Sequence, residues 1–248
     1  MNGRRVLVVG GGAVGLATAY RLLERWPGAK LTLLEKERRV GMHQTGNNSG
    51  VLHCGLAYRP GTAKARLAVR GIRQMVEFCA SHNVGHDICG KLVVASREDQ
   101  IPRLYDLFDR GTQNGLQGLA ILDPPQMREI EPHVGGVKAL HVPGEGIVDY
   151  RGVCEALARE IVARGGTVVT GAGVQSLYHT QDGWLAETTA GAFETSYLIT
   201  CAGLQADRVA KLAGAQTDVV IVPFRGDYYK LRPQSERLVR NLIYPVAD

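Results

Sequence analysis

The sequence has few cysteines and no long hydrophobic run, and both absences restrict the class of protein. Its 248 residues include five cysteines, and no two of them form a Cys-x-x-Cys pair. An odd number of cysteines without such a pair argues against a disulfide framework or a zinc site and favours a reducing compartment. No apolar stretch approaches the ~20 residues that span a bilayer. We therefore expect a soluble cytoplasmic protein, with peripheral contact at the inner membrane as the alternative.

Positive charge is in modest excess and is not concentrated anywhere. The formal net charge is +5 and the isoelectric point is near 9.0. Lys and Arg are dispersed and lack an aromatic-basic motif, which argues against nucleic-acid binding. The excess suits a small anionic substrate or an anionic membrane surface, although so small a value also occurs without a specific partner. The sequence shows no Ser-His-Asp arrangement, metal-ligand spacing or P-loop, which argues against hydrolases, metal sites and kinases.

Glycine, by contrast, is abundant at 31 residues, and the first glycine cluster predicts a dinucleotide site. The apolar run 5–10 predicts a buried strand, residues 14–25 have the spacing of an amphipathic helix, and 30–35 predicts a second strand. This order predicts a parallel sheet with helices on its faces. Residues 10–15 match G-x-G-x-x-G at the turn from strand to helix, and Glu35 ends the second strand.

Each residue of this motif has a separate physical role. Gly10 permits the tight turn, Gly12 lets the backbone approach a pyrophosphate, and Gly15 allows the helix to pack closely on the strand. The diphosphate is expected at the helix N-terminus, where free N–H groups and the helix dipole favour negative charge. Glu35 can accept hydrogen bonds from both ribose hydroxyls and would repel a 2′-phosphate, which disfavours NADP. The motif by itself leaves FAD and NAD open.

The polar loop that follows carries a resemblance to a known family. Residues 43–58 read HQTGNNSGVLHCGLAY, and RPG follows at 59–61. This loop is similar to one in the D-amino-acid-oxidase/glycerol-3-phosphate-dehydrogenase superfamily of flavoproteins, and it resembles most closely the L-2-hydroxyglutarate oxidase/dehydrogenase family. Residues 198–203 also resemble the segment by which these proteins return to the FAD site, and 222–229 resemble a strand of their substrate domain.

The resemblance implies FAD as the cofactor and assigns part of the loop to it. Thr45, Asn47 and Ser49 supply hydroxyl and amide groups, and with Gly50 they suit a diphosphate and a flavin ring. Gly203 is expected to approach the same cofactor. The alternative is an exposed Ser- and Asn-rich loop that binds nothing.

Two residues are candidates for the chemistry. The resemblance places His53 near the flavin, where it would take the hydroxyl proton as hydride leaves for flavin N5. An imidazole suits this role because histidine titrates near neutral pH, although a structural histidine is the alternative. Arg225 is the candidate for binding a substrate carboxylate in a bidentate pair, with a solvated strand-edge arginine as the alternative. Tyr58 and Tyr229 are weaker candidates for the pocket, because aromatic residues in strands usually serve packing.

The resemblance implies an α/β fold with two interleaved domains. We expect a glutathione-reductase-like FAD-binding Rossmann domain from residues 1–82 and 145–216, and an α+β substrate domain from 83–144 and 217–248. Residues 219–231 and 240–246 are predicted to be strands. Chains of the family continue well beyond this point, so we expect the C-terminal part of the substrate domain to be missing.

The implied reaction is the FAD-dependent oxidation of a small 2-hydroxy acid. The expected substrate is L-2-hydroxyglutarate, the expected product is 2-oxoglutarate, and the electrons are expected to pass to a quinone or to oxygen. Glycerol 3-phosphate and an amino acid are alternative substrates, because one scaffold can host several chemistries. A non-catalytic fragment that only binds a dinucleotide is the remaining alternative.

Overall fold

The computed structural model describes residues 4–247 and has the predicted α/β fold. The α-helices of the described residues are α1 (Ala13–Arg25), α2 (Ala63–Ser81), α3 (Ile101–Gln113), α4 (Pro124–Ile130), α5 (Tyr150–Ala163) and α6 (Ala206–Leu212). The strands are β1 (Arg5–Val9), β2 (Lys30–Glu35), β3 (Val51–Leu52), β4 (His86–Asp87), β5 (Lys91–Ala95), β6 (Ala120–Leu122), β7 (Lys138–Val142), β8 (Gly146–Val148), β9 (Thr167–Thr170), β10 (Val174–Thr180), β11 (Gly183–Thr188), β12 (Gly191–Thr195), β13 (Tyr197–Thr200) and β14 (Leu242–Pro245).

The described chain divides into two compact units. The first contains the described residues up to Ser49 together with Tyr150–Gly226, and the second contains Gly50–Asp149 together with the described residues from Asp227 onward. Helix α2 falls in the second unit, where its residue Ile72 packs against the core. The domain boundaries predicted from the sequence stay a prediction. Which unit holds cofactor and which holds substrate stays a prediction.

The first unit is built on a parallel four-stranded sheet in the order β13-β1-β2-β9. The predicted βαβ order of its first three elements is confirmed. Helix α1 buries Leu16, Ala19 and Leu23, whose spacing of three and four residues places them on one face. On the sheet, Leu7 and Val9 alternate with their neighbours and join one hydrophobic cluster. Each fully buried leucine contributes about 2 kcal/mol to stability.

An antiparallel meander of β10, β11 and β12 completes this unit. Strands β11 and β12 pair as an antiparallel hairpin with its turn at Ala190. Leu177 of β10 and Ala186 of β11 pack in the same cluster as Leu7 of β1. The meander therefore covers one face of the parallel sheet.

The second unit contains a mixed sheet in the order β14-β5-β7-β6 and a small antiparallel sheet in the order β3-β8-β4. Alternate residues of β5 enter different clusters. Val93 packs with Leu104 of α3, whereas Leu92 and Val94 pack with Met127 of α4. Since successive side chains of a strand point to opposite faces, the mixed sheet is covered by helices on both sides.

The strand predicted at 219–231 is wrong, whereas the strand predicted at 240–246 is confirmed as β14. Residues 219–231 form neither helix nor strand, and the backbone N–H of Ile221 donates to the carboxylate of Asp207 rather than to a neighbouring strand. Phe224 is 93% exposed and Tyr229 is fully exposed. A run of apolar residues forms a strand only where a neighbouring strand pairs with its backbone N–H and C=O groups. No strand within residues 4–247 pairs with the segment 219–231.

Candidate dinucleotide cleft and carboxylate-histidine cluster

The turn between β1 and α1 is too tight for any residue other than glycine at two positions. Gly10 has φ +115°, and a Cβ atom there would lie 2.3 Å from the carbonyl oxygen of Cys201. At Gly15, a Cβ atom would lie 1.8 Å from the carbonyl oxygen of Gly10. The first turn of α1 therefore packs directly against the backbone of the turn, as the motif predicts.

The N-terminus of α1 is arranged to receive an anion. Gly12 is the N-cap residue, so no capping side chain covers the end of the helix, and the first turn contains no acidic residue. The backbone N–H of Ala13 donates to Oγ1 of Thr45 at 3.1 Å. A helix of 13 residues has a partial positive charge at its N-terminus, and this charge favours a negative group there.

Glu35 is held in place by the backbone on both sides of its carboxylate. The side chain is 7% exposed, Oε2 accepts from the N–H of Gly11 at 2.7 Å, and Oε1 accepts from the N–H of Glu37 at 2.9 Å. Each carboxylate oxygen has further lone pairs, so the group can also accept from hydroxyl donors. This arrangement suits the two hydroxyls of a ribose.

A cleft of about 900 Å³ lies at the carboxyl edge of the parallel sheet. Its lining includes five of the predicted cofactor residues, namely Gly10, Gly12, Glu35, Thr45 and Gly203. At Gly203, with φ +55°, a Cβ atom would lie 3.3 Å from the side-chain oxygen of Gln44. The Gly-rich turn, the polar loop and the end of β13 thus meet at one cleft of the first unit.

The other four predicted cofactor residues lie outside the lining of this cleft. Gly15 is buried behind the turn, where it supports the helix. The amide of Asn47 donates to the carbonyl oxygens of Met42 and His43, so it stabilises the loop itself. Ser49 is exposed at the end of the first unit, and Gly50 belongs to the second unit. Their assignment to the cofactor stays a prediction.

Part of the lining was missed by the sequence analysis. Residues 172–174, Gln205 and Arg208 also line the cleft. They follow β9 and β13, whose carboxyl ends lie at the same edge of the sheet as those of β1 and β2. Ligands of open parallel sheets bind at the carboxyl ends of the strands. This rule indicates that the residues directly after β9 and β13 belong to the binding site.

The residues of the cleft fit an adenine dinucleotide. The helix N-terminus fits a diphosphate, Glu35 fits a ribose, and Lys36 and Arg208 add positive charge at the lining. Val174 and Leu212 supply apolar walls for a ring. A volume of about 900 Å³ is also adequate for an extended ligand of this size.

A second group of functional side chains surrounds the buried carboxylate of Glu145 in the second unit. Glu145 is 1% exposed, and its Oε2 lies 2.5 Å from Nζ of Lys91 and 3.3 Å from Nδ1 of His53. Its Oε1 accepts from the backbone N–H and from the thiol of Cys54, each at 3.2 Å. The ring of His53 also makes an edge contact with Tyr244, and the side chain of His53 is 49% exposed. We call His53, Cys54, Lys91 and Glu145 the histidine cluster.

The electrostatics of the histidine cluster follow from burial and from its charged groups. Burial would raise the pKa of Glu145, but the hydrogen bond with His53 and the ammonium of Lys91 lower the pKa to about 2. Burial, together with the adjacent negative charge of Glu145, raises the pKa of the Cys54 thiol to about 12. Glu145 is therefore ionised and Cys54 is a neutral thiol at neutral pH.

Sequence reasoning missed Glu145 and Lys91, although a lysine within the apolar run GKLVVA was a signal that it had a buried partner.

The lowered pKa of Glu145 predicts a specific loss of stability in acid. Because the pKa in the folded chain lies below the reference value of 4.5, the stabilisation is present above pH 4.5 and is lost as the pH falls towards 2. The shift corresponds to about 3 kcal/mol. Urea unfolding at pH 7 and pH 3 should show a larger loss in the wild type than in the double variant Lys91→Met/Glu145→Leu, in which apolar side chains replace the pair. Equal losses would contradict the prediction.

The remaining candidates from the sequence are Arg225, Tyr58 and Tyr229. Arg225 is exposed within the irregular segment 219–231, so its proposed carboxylate site stays a prediction. The ring of Tyr58 receives the ammonium of Lys64 at 4.5 Å, and Tyr229 is fully exposed. No helix within residues 4–247 has the length and apolar character needed to cross a membrane.

The parallel sheet, the glycine turn and the carboxylate at the end of β2 define a dinucleotide-binding protein of the Rossmann type. The family described as DAO, FAD-dependent oxidoreductase, matches residues 5–248. The chain belongs to this family.

Two curated relatives of this chain share one name. L-2-hydroxyglutarate dehydrogenase of Indibacter alkaliphilus is 45% identical over 245 residues, which cover 98% of this chain and 61% of that protein. The mitochondrial L-2-hydroxyglutarate dehydrogenase of Homo sapiens is 40% identical over 255 residues, which cover 98% of this chain and 55% of that protein. The chain therefore spans little more than half the length of these relatives.

Solved structures show the same fold at lower sequence identity. The dithionite-reduced L-α-glycerophosphate oxidase from Mycoplasma pneumoniae with FAD bound has a TM-score of 0.79 and 24% identity, over 99% of this chain and 66% of that chain. Glycine oxidase from Geobacillus kaustophilus has a TM-score of 0.76 and 22% identity, over 86% of this chain and 59% of that chain. These similarities support the FAD-dependent oxidoreductase fold.

Proposed function

We propose that this chain binds FAD in the cleft of the first unit and takes part in oxidising L-2-hydroxyglutarate to 2-oxoglutarate. The observation that carries this proposal is the 45% identity, across 98% of the chain, to a protein named L-2-hydroxyglutarate dehydrogenase. The geometry of the cleft supports the cofactor, since its donors and its carboxylate suit the diphosphate and the ribose. The histidine cluster supports the chemistry.

The residues proposed to hold FAD are those at the carboxyl edge of the sheet. The N-terminus of α1, with Gly12 and Thr45, would bind the diphosphate, and Glu35 would bind the ribose hydroxyls. Asn47, Ser49 and Gly50 are proposed to contribute through the conformation of the polar loop. When bound, FAD supplies the acceptor for the hydride that leaves the hydroxyl-bearing carbon.

His53 is the proposed general base of the reaction. Its half-exposed ring can meet a substrate, while Nδ1 faces the buried carboxylate of Glu145. Nε2 would take the proton of the substrate hydroxyl as the carbon-oxygen double bond forms. Arg225 is proposed to pair with a carboxylate of the dicarboxylic substrate, because a guanidinium binds carboxylates in a bidentate geometry.

The electron acceptor proposed for the reaction is a quinone or oxygen. A quinone acceptor would require peripheral contact of an otherwise cytoplasmic protein with the inner membrane. The net charge of +5 favours an anionic surface of that kind. Oxygen as acceptor would need no membrane contact.

Two other functions are alternatives to this proposal. The fold similarity to L-α-glycerophosphate oxidase and glycine oxidase favours glycerol 3-phosphate or an amino acid as substrate. A non-catalytic protein that only binds a dinucleotide is the second alternative.

Visible spectroscopy of the purified chain separates these functions. After incubation with FAD and desalting, we expect flavin absorbance to remain with the protein and to bleach without oxygen when L-2-hydroxyglutarate is added. Bleaching by glycerol 3-phosphate or glycine instead would reassign the substrate, and retained absorbance that no substrate bleaches would favour the non-catalytic function. A colourless protein that binds NAD would contradict the FAD assignment. Glu35→Arg, which places a cation where the ribose hydroxyls are expected, is the control for specific binding.

A further inference from the structure

We infer that the ion pair of Glu145 and Lys91 is a positioning device that fixes the protonation pattern of His53, an inference that rests on the proposed role of His53 as base. The starting observation is that Oε2 of Glu145 contacts Nδ1 of His53 at 3.3 Å. A carboxylate carries no proton to donate, so its negative charge beside Nδ1 favours the tautomer of the neutral imidazole that has the proton on Nδ1. Nε2 is then the atom with the free lone pair, and it is the atom that can take a proton from a substrate.

The carboxylate is itself fixed by its other contacts. Oε1 accepts from the N–H and the thiol of Cys54, and Oε2 lies 2.5 Å from Nζ of Lys91. Lys91 is 5% exposed and Glu145 is 1% exposed, so neither side chain has an alternative partner in bulk water. The carboxylate that faces the histidine ring is therefore a buried group held by several contacts rather than a mobile surface carboxylate.

Lys91 has a second consequence, which concerns charge. An unpaired buried carboxylate beside an imidazole favours the imidazolium form, and an imidazolium cannot accept a proton. Lys91 balances the charge of Glu145, so the carboxylate that faces the ring is not an unpaired charge. Within the described residues the groups that face His53 are Glu145, Lys91 behind it, and the ring of Tyr244, which also lies 5.1 Å from Nζ of Lys91.

Nitrogen-15 NMR of the histidine side chains tests the assignment without any turnover. The chain contains seven histidines, and His53→Gln identifies the signals of His53 by their disappearance. In the wild type at alkaline pH we expect Nδ1 to carry the proton. In Lys91→Met/Glu145→Leu the acceptor is gone, and the tautomer protonated at Nε2 should predominate. Because apolar replacement of a buried pair is often neutral for stability, this double variant is expected to fold.

The single variant Lys91→Met tests the charge of the lysine. It leaves Glu145 without its cation, so the charge beside Nδ1 of His53 changes and the nitrogen-15 signals of His53 should move from their wild-type positions at a fixed pH. Lys91→Arg, which keeps the cation, should restore the wild-type behaviour. If Lys91→Met does not fold, as judged by circular dichroism, the comparison of Lys91→Arg with the double variant still tests whether the pair controls the ring.

The control substitution uses another carboxylate-histidine contact of the same chain. Oε1 of Glu37 lies 2.9 Å from Nε2 of His43 on the surface. Glu37→Gln should change only the signals of His43. A wild-type His53 protonated at Nε2, or a double variant with unchanged His53 signals, would overturn the inference. Neither outcome depends on FAD or substrate, so failure here is distinguishable from failure of the proposed reaction.

Discussion

Replacement of Gly15 by alanine should weaken the binding of FAD about 100-fold and lower the free energy of unfolding by about 3 kcal/mol. The added Cβ atom would lie 1.8 Å from the carbonyl oxygen of Gly10, which is backbone and cannot rotate away. The first turn of α1 must then move from the end of β1. The N-terminus of this helix is the proposed diphosphate site, so its displacement should also weaken FAD binding. A loss of about 3 kcal/mol in the free energy of binding corresponds to a weakening of about 100-fold.

The matched control for Gly15→Ala is the same substitution at Gly71. Gly71 lies within α2, and a Cβ atom there would have no neighbour within 4 Å. Gly71→Ala should raise stability by about 0.5–1 kcal/mol, because alanine is the better helix former and the unfolded chain loses freedom. Urea unfolding and quenching of flavin fluorescence measure the two effects. Wild-type FAD affinity in Gly15→Ala would contradict the proposed diphosphate site.

The parts of the cleft that could be predicted are those encoded within a short stretch of sequence. Gly10, Gly12 and Glu35 lie within a single βαβ unit, so their spacing alone fixes their relative positions. Thr45 was also predicted, and its contact with the N–H of Ala13 joins the polar loop to the helix N-terminus. The relative positions of Gly10, Gly12 and Glu35 follow from the local geometry of this unit and do not require contacts with distant parts of the chain.

Of the histidine cluster, Glu145 and Lys91 could not be predicted because they are distant from His53 in sequence. Glu145 lies 91 residues after Cys54, and the two meet only because β3 pairs with β8. No periodicity reports such a contact. A single sequence shows that Lys91 interrupts an apolar run, but it does not show which carboxylate balances the lysine.

The error at residues 219–231 has a different physical origin. Apolar and β-branched residues such as Val220 and Val222 favour a strand, and residues 222–229 also resemble a strand of the family's substrate domain. Both side chains are more than half exposed in the structure. A strand also needs a partner for its backbone groups, and composition carries no information about whether that partner is present.

Substitution of His53 by glutamine should lower the rate of anaerobic flavin reduction by L-2-hydroxyglutarate by about 10²- to 10⁴-fold, the range typical for loss of a general base. Glutamine is close in size and can still contact Glu145, but it cannot take a proton at neutral pH. FAD affinity should remain unchanged, because His53 is not among the residues that line the cleft of the first unit.

The rate, the FAD affinity and the stability together separate a base from a structural histidine. His179→Gln is the control, since His179 is exposed on β10 and its ring contacts Trp184 rather than a carboxylate. If His53 serves only to hold its loop, His53→Gln should lower the free energy of unfolding while the rate per bound flavin stays near that of the wild type. We expect a large rate loss in His53→Gln, a smaller loss in Lys91→Met/Glu145→Leu and none in His179→Gln. This pattern would assign proton transfer to the imidazole of His53 and the orientation of that ring to the buried pair.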